Sequence, residues 1–365
     1  MEALNNNQKE ILNKEFILEP TNKWLVTKTI KSIGTENYVF YGKLFNKDNV
    51  VIKVLTDANI EYDIYKLVRK FNFYLPNMPK IYGVYNCYEN KKILDKITKD
   101  YNKNNNKNVK IPLCSSGSFD VGKPNPLATS LISRNGVNDK KNKDNIRLRF
   151  IVMEKIKGKT LENIVPKNTI LEDDLFISIL MQGLYQIYQL YYIFGIVIND
   201  YHTGNILIEP TNDDYLDYKF EYNPYRHYEK EPDCFIDDTT YNTKLKLHGF
   251  KIYLIDFDNG LLLHSDFRKD TGDIKTNITK QINSFINNIA KFASHNIIKK
   301  LKTIYDNKRY IECCQYQLNN YNNIEDKGWI HNEGLIIRTS KIIVTYIKQI
   351  VKTFNLPKEN ILFIN

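Results

Sequence analysis

Apolar residues recur at Ile177, Leu180, Leu184, Ile187 and Tyr191, the spacing of one helical face. Ile179, Met181, Leu190 and Ile193 make the same segment apolar nearly all round, which predicts a helix buried in a core rather than one lying on it. Gly195 is placed to end it. A short apolar run follows, then Ile198-Asn199-Asp200-Tyr201-His202-Thr203-Gly204-Asn205, then a second apolar run, Ile206-Leu207-Ile208. Nearer the start, Val50-Val51-Ile52-Lys53-Val54-Leu55 reads as a buried β-branched strand interrupted by one lysine. Asn59 to Leu67 reads as an amphipathic helix with Ile60, Ile64 and Leu67 on one side. Leu148 to Met153 is a further apolar strand, leading into the turn Lys157-Gly158-Lys159. Beyond Gly260 the pattern is helical: Ile278, Ile282, Phe285, Ile286 and Ile289 mark one helix, and Ile337 to Val351 another. No internal repeat or separate second domain is visible.

The polar residues set into this pattern suggest a chemistry. An unpaired ammonium is costly to bury, so Lys53 calls for a partner. Glu61 on the next helix is the candidate, with Asp63 close by as a competitor. The bland alternative is an edge-strand lysine facing water and an ordinary surface acid. Asp200, the carboxamide of Asn205 five residues on, and Asp256 at the end of a later strand (Leu254-Ile255-Asp256-Phe257-Asp258) are the set that phosphoryl transfer from ATP requires. One acid orients or deprotonates the acceptor hydroxyl, while the amide and the second acid hold Mg²⁺ against the phosphates. In a chain so rich in Asp and Asn, an Asp-x-x-x-x-Asn spacing means little alone; the order of the elements around it gives it weight.

That ordered set resembles the protein-kinase-like superfamily, over about two thirds of the chain. The resemblance implies an α+β, two-lobed protein-kinase-like fold: a small β-rich lobe over residues 1–153 and a mostly helical large lobe over 154–365. It implies that Ile33 and Gly34, in Ile33-Gly34-Thr35-Glu36-Asn37-Tyr38-Val39-Phe40-Tyr41-Gly42, belong to a phosphate-covering loop. Lys53 would bind the α and β phosphates, and Glu61 would hold it. Met153 would be the gatekeeper, with backbone groups of Glu154 and Ile156 binding adenine. Asp200 would act on the acceptor, and Asn205 and Asp256 on the metal. ATP and Mg²⁺ are the implied cofactors, and a protein Ser/Thr hydroxyl is the favoured acceptor. His202, two residues after Asp200, stands where most Ser/Thr kinases carry lysine. Haspin-like kinases also have histidine there, and they and kinases of large DNA viruses (giant viruses, poxviruses) share a long, partly β-like insert like that at residues 211–249.

The departures from the pattern matter as much. Ile198 replaces the usual histidine of the catalytic loop and Asn199 the usual arginine, so control through an activation-loop phosphate is not expected. Glu36 and Val39 stand where further glycines belong, and Asp258 replaces the glycine after Asp256-Phe257. Asp258 is read as a loop residue, with a further metal-site acid as the alternative. No Ala-Pro-Glu follows. That keeps a small-molecule kinase of the choline or aminoglycoside type in play, and behind it a pseudokinase scaffold that binds without turnover.

Composition narrows the setting. The net charge is +10, but residues 91–147 hold thirteen Lys and Arg against five Asp and Glu, so eight of the ten charges lie in one polar stretch. It reads as a solvated surface insert, which argues against a nucleic-acid partner; a docking arm for an acidic partner is the alternative. No apolar run approaches a bilayer-spanning length, and the polar Met1–Gln8 start is not a signal peptide. Cys87, Cys114, Cys234, Cys313 and Cys314 lack metal-ligand spacing and suit a reducing, intracellular compartment, cytoplasmic or nuclear. The 26 Tyr and 15 Gly, with abundant Asn, Lys and Ile, fit an AT-rich genome such as a virus's; a viral chain would work in the host cell or the virion.

Overall fold

Lys53 sits in the middle strand of a five-stranded antiparallel sheet in the computed structural model of the chain. The structure describes residues 25–31, 38–44, 48–55, 60–69, 75–90, 92, 145–198, 200–220, 241–257, 260–262, 274–305 and 343–356. Ile33, Gly34, Asn199, Asp258, residues 337–342, most of the 91–147 insert and the centre of the 211–249 insert lie outside them. The chain divides into two compact units, Met1–Arg69 with Pro79–Lys155, and Lys70–Met78 with Ile156–Asn365.

The first unit is the sheet and one helix. Its strands are β1 (Leu25–Lys31), β2 (Tyr38–Leu44), β3 (Asp48–Leu55), β4 (Ile81–Asn90) and β5 (Asn145–Glu154), in the spatial order β1-β2-β3-β5-β4. β5 begins at Asn145, so the last three residues of the expected polar insert, 145–147, belong to the strand. Helix α1 (Ile60–Arg69) connects β3 towards β4 and packs on β4 and β5. Its inward face is Glu61, Tyr62, Ile64, Tyr65 and Val68. The expected stripe of Ile60, Ile64 and Leu67 is therefore turned: Ile60 and Leu67 are only half-buried, and the face that goes inside carries a carboxylate.

The second unit is built around the helix that hydrophobicity predicted. This is α3 (Asp173–Phe194), preceded by β6 (Lys159–Thr160) and the short α2 (Leu161–Ile164). Every residue from Ser178 to Tyr191 is buried. Gly195 closes α3 in the left-handed conformation, φ 60°, and its N–H bonds back to the last turn. The chain then forms β7 (Ile196–Ile198), a single 3₁₀ turn (Thr203–Asn205) and β8 (Ile206–Pro210). Strands β9 (Tyr215–Phe220) and β10 (Tyr241–Lys246) pair antiparallel, so the insert at 211–249 contains a β ribbon. β11 (Phe250–Leu254) completes a three-stranded sheet in the order β11-β8-β6, and β12 (Gly260–Leu262) pairs with β7.

Helix α4 (Ile274–Ala290) carries the predicted Ile278, Ile282, Phe285, Ile286 and Ile289, all buried. It packs on α3 and β7. The approach to α3 depends on Gly183, where an added Cβ would lie 2.0 Å from the Phe285 ring. Helix α5 (His295–Tyr305) follows, then α6 over residues 343–354. The element order, with a lysine strand, an acid-bearing helix, a buried helix, a polar loop and a strand ending in Asp256, is that of the α+β kinase-like fold which the resemblance implies. Among the described residues no helix is long and apolar enough to cross a membrane.

Candidate active site

In the first unit the two expected charges meet. Lys53 lies in register with Val39 on β2 and Ile151 on β5, so its strand is hydrogen-bonded on both edges. Its ammonium is 2.6 Å from Glu61 Oε2, with the two side chains 9% and 0% exposed. This pair is buried, which excludes the edge-strand reading of Lys53. Burial also separates the two candidate acids, because Asp63 faces solvent while Glu61 does not. The geometry explains the turned face of α1: a carboxylate is tolerated inside because a cation from the next element meets it.

Met153 and Glu154 end β5 in the same unit, opposite Val51 and Val50 of β3. Met153 is buried. Glu154 is tied to Lys80 twice: its N–H donates to the Lys80 carbonyl at 2.8 Å, and its carboxylate accepts from the Lys80 N–H at 3.2 Å. Ile156 opens the second unit and is buried.

In the second unit the loop from Asp200 to Asn205 is held from three sides. Tyr201, directly after Asp200, is fully enclosed; its hydroxyl accepts from Gln281 of α4, and its ring meets Phe285 edge-on at 5.7 Å. Burial pushes that hydroxyl's pKa far above the ordinary tyrosine value, the bond from Gln281 opposing it only in part, so the group stays protonated. His202 is exposed and its Nδ1 accepts from the Gly204 N–H at 3.1 Å, which caps the 3₁₀ turn and leaves Nε2 as the outward nitrogen. Thr203 Oγ1 accepts from Lys291 Nζ at 3.1 Å, a contact across 88 residues of sequence. Asn205 closes the loop on itself, its Nδ2 donating to the Asp200 carbonyl at 3.2 Å. That bond directs its carboxamide oxygen away as a free-standing acceptor.

Asn205 and Asp256 are brought together by the sheet. β8 pairs with β11 so that Ile206 faces Leu254, and the Ile255 N–H donates to the Asn205 carbonyl at 2.9 Å. Asp256 comes next, with φ 69°. Left-handed backbone at a residue other than glycine is uncommon, and persists where its surroundings over-determine it. Here the Asn205 carbonyl holds one side, and on the other Phe257 is fully buried and its carbonyl accepts from Gly260 N–H at 2.9 Å.

A further set of residues supports Asp256, and the sequence reading passed over them. Among the described residues β11 has β8 on one edge only, so its other edge needs partners. Three buried amides from elsewhere in the unit supply them. Gln182 Oε1 accepts from Ile252 N–H at 2.9 Å, and Gln186 Oε1 accepts from Leu254 N–H at 3.0 Å. Gln186 Nε2 donates to the Leu254 carbonyl at 3.2 Å, and Asn77 Nδ2 to that of Ile252 at 2.9 Å. The glutamines, four residues apart on α3, act as a surrogate strand beside the one that ends in Asp256. The visible signal was two glutamines one turn apart in a mostly apolar helix, which carries a third at Gln189. Gln186→Leu should leave the Leu254 N–H and C=O unpaired in the core, costing about 2–4 kcal/mol of unfolding free energy by chemical denaturation. A loss within the scatter of surface substitutions would remove this account of β11.

Among the described residues no three His, Cys, Asp or Glu cluster as a protein-only metal site would require. Mg²⁺ does not require one. It is held through one or two protein oxygens, with waters and phosphates completing its shell, and the Asn205 carboxamide with the Asp256 carboxylate is a donor set of that kind.

No protein-family model and no curated protein sequence matches the chain. Among solved structures it is similar to the crystal structure of a kinase domain, at 14% identity and TM-score 0.39, covering 75% of this chain. It spans 64% of that kinase-domain chain, just under two thirds of its length. It is also similar to WaaP in complex with acyl carrier protein, at 10% identity and TM-score 0.37, covering 94% of this chain and 99% of that one. Similarity this remote says nothing of activity or acceptor, which the side chains of the two units have to carry.

Proposed function

We propose that the chain is an ATP- and Mg²⁺-dependent phosphotransferase whose acceptor is a protein Ser or Thr hydroxyl. The observation that carries this reading is the buried Lys53–Glu61 pair. Taking two charges out of water is expensive, and apolar residues of similar volume would serve the sheet as well or better. A pair kept there is best explained by a task, and holding the α and β phosphates is the task that fits a lysine fixed by a glutamate. Ile33 and Gly34 would cover those phosphates, and Met153, Glu154 and Ile156 would flank the adenine.

In the second unit, Asp200 would orient the acceptor hydroxyl and take its proton. Asn205 and Asp256 would hold Mg²⁺, which neutralises charge on the phosphates when bound. His202 would present Nε2 towards the transferring group, and its place after Asp200 is what likens this chain to haspin-like and large-DNA-virus kinases. Asp256→Ala is expected to remove the Mg²⁺-dependent part of ATP binding. Titration of labelled ATP with and without Mg²⁺ checks this, and an undiminished Mg²⁺ effect in the variant would count against the site.

The lack of Ala-Pro-Glu after Asp256 favours a second reading, a small-molecule acceptor. Incubating the protein with labelled ATP, Mg²⁺ and a panel of proteins and small alcohols separates the two. Label on Ser or Thr supports the first reading; label on an alcohol alone replaces it with the second; label nowhere leaves a scaffold.

A further inference from the structure

The contact of Lys291 with Thr203 places a cation three residues beyond Asp200, in a stretch of chain that carries lysines and no acid. Lys291 is exposed, and its polar contacts among the described residues are the Thr203 hydroxyl and the face of the Phe292 ring. No described acid pairs with it. It stands between α4 and α5, and residues 274–305, which make up both helices and their junction, hold six lysines and no Asp or Glu. Lys299 and Lys302 of α5 are exposed, whereas Lys300 lies over the Phe354 ring of α6 at 5.2 Å. Acids of other elements stand near this stretch: Glu162 Oε2 would lie 3.3 Å from a Cβ added at Gly204, and Glu172, Asp173 and Asp174 are exposed just after Leu171, whose N–H donates to the Phe292 carbonyl at 2.9 Å. His202 is exposed on the same loop as Gly204.

A positive surface that continues from a catalytic loop selects what can approach it. It raises the encounter rate of anionic acceptors and makes a cationic flank costly. The positive charge is also extended. Helix α5 has 11 residues and is therefore about 16 Å long, more than one small metabolite would cover. A stretched peptide of about five residues spans that distance.

We propose that Lys291, with the acid-free α4–α5 surface behind it, makes the acceptor an acidic peptide: a Ser or Thr flanked by carboxylates or phosphorylated residues. This rests on the phosphotransferase reading and narrows its substrate. Thr203 holds the ammonium beside the loop, so the first acidic group of the peptide pairs with Lys291 while the hydroxyl reaches Asp200. Further acids are drawn to α5.

Binding and transfer are measured separately, which keeps the failure of this proposal distinct from that of the kinase reading. Fluorescein-labelled peptides carrying one Ser in Asp/Glu, Asn/Gln or Lys/Arg surroundings are titrated by anisotropy against the whole protein with ATP analogue and Mg²⁺. The acidic peptide should bind about tenfold more tightly than the neutral one, with an advantage that shrinks as salt is raised, as expected of several exposed charge pairs acting together. Lys291→Glu should erase that preference. If this variant does not fold, the double variant Lys299→Glu/Lys302→Glu should reduce it instead. Equal affinity for the three peptides overturns the proposal, as does Lys291-dependent binding of glucose 6-phosphate or inorganic phosphate without any preference among peptides. Labelled-ATP transfer to neutral and acidic peptides alike overturns it while sparing the kinase reading. Acidic-peptide preference with no transfer to any acceptor sinks the kinase reading instead.

Discussion

Lys53→Met is expected to weaken nucleotide binding about 10- to 100-fold and, at the same time, to destabilise the first unit. The affinity loss corresponds to the ~1.5–3 kcal/mol of a hydrogen bond to a charged group. The stability loss has another origin. Glu61 is fully enclosed and meets Lys53 Nζ at 2.6 Å, so removing the lysine takes away the cation that meets this buried carboxylate. Breaking a buried pair from one side typically costs about 3–5 kcal/mol. A second variant separates the two effects. Lys53→Met with Glu61→Leu removes both charges and should recover most of the stability, measured by chemical denaturation, while ATP affinity stays low. Were ATP to bind the double variant as tightly as wild type, the pair would be a packing device only.

Asp200→Asn is expected to reduce turnover by at least about 10²-fold, within the range of a positioned acid–base group. ATP binding should survive, since the groups assigned to it are Lys53, Asn205 and Asp256. The substitution keeps size and leaves the Asp200 carbonyl to accept from Asn205 Nδ2 as before. The neighbouring Tyr201 anchor on α4 is also untouched, so the loop should keep its shape. A variant with equal loss of binding and turnover would instead place Asp200 in nucleotide binding.

The sequence made the elements that follow local patterns legible. Ile177 to Tyr191 announced a buried helix because apolar residues surround it on every side, and Gly195 marked its end because it can take φ 60° without strain. The five apolar residues of α4 were visible for the same reason. Side-chain partners from distant segments were harder to foresee. β5 lies between β3 and β4, although β4 precedes it in the chain, and nothing local to either strand specifies that order. Glu61 had a competitor in Asp63, and only the turned face of α1 separated them. The amides of Gln182, Gln186 and Asn77 looked like polar interruptions; their use depends on β11 having an open edge, which is a property of the assembled sheet. Lys291 lay outside every motif, and its place beside Thr203 arises from the packing of α4.

The proposed phosphotransferase is tested most directly by single-turnover transfer from labelled ATP–Mg²⁺, comparing wild type with Asp200→Asn at saturating nucleotide. The expected result is label moved to a Ser or Thr hydroxyl by the wild type, and at least about 10²-fold more slowly by a variant that binds ATP–Mg²⁺ equally well. Wild-type protein that binds ATP–Mg²⁺ yet transfers label to neither itself nor any acceptor would contradict it.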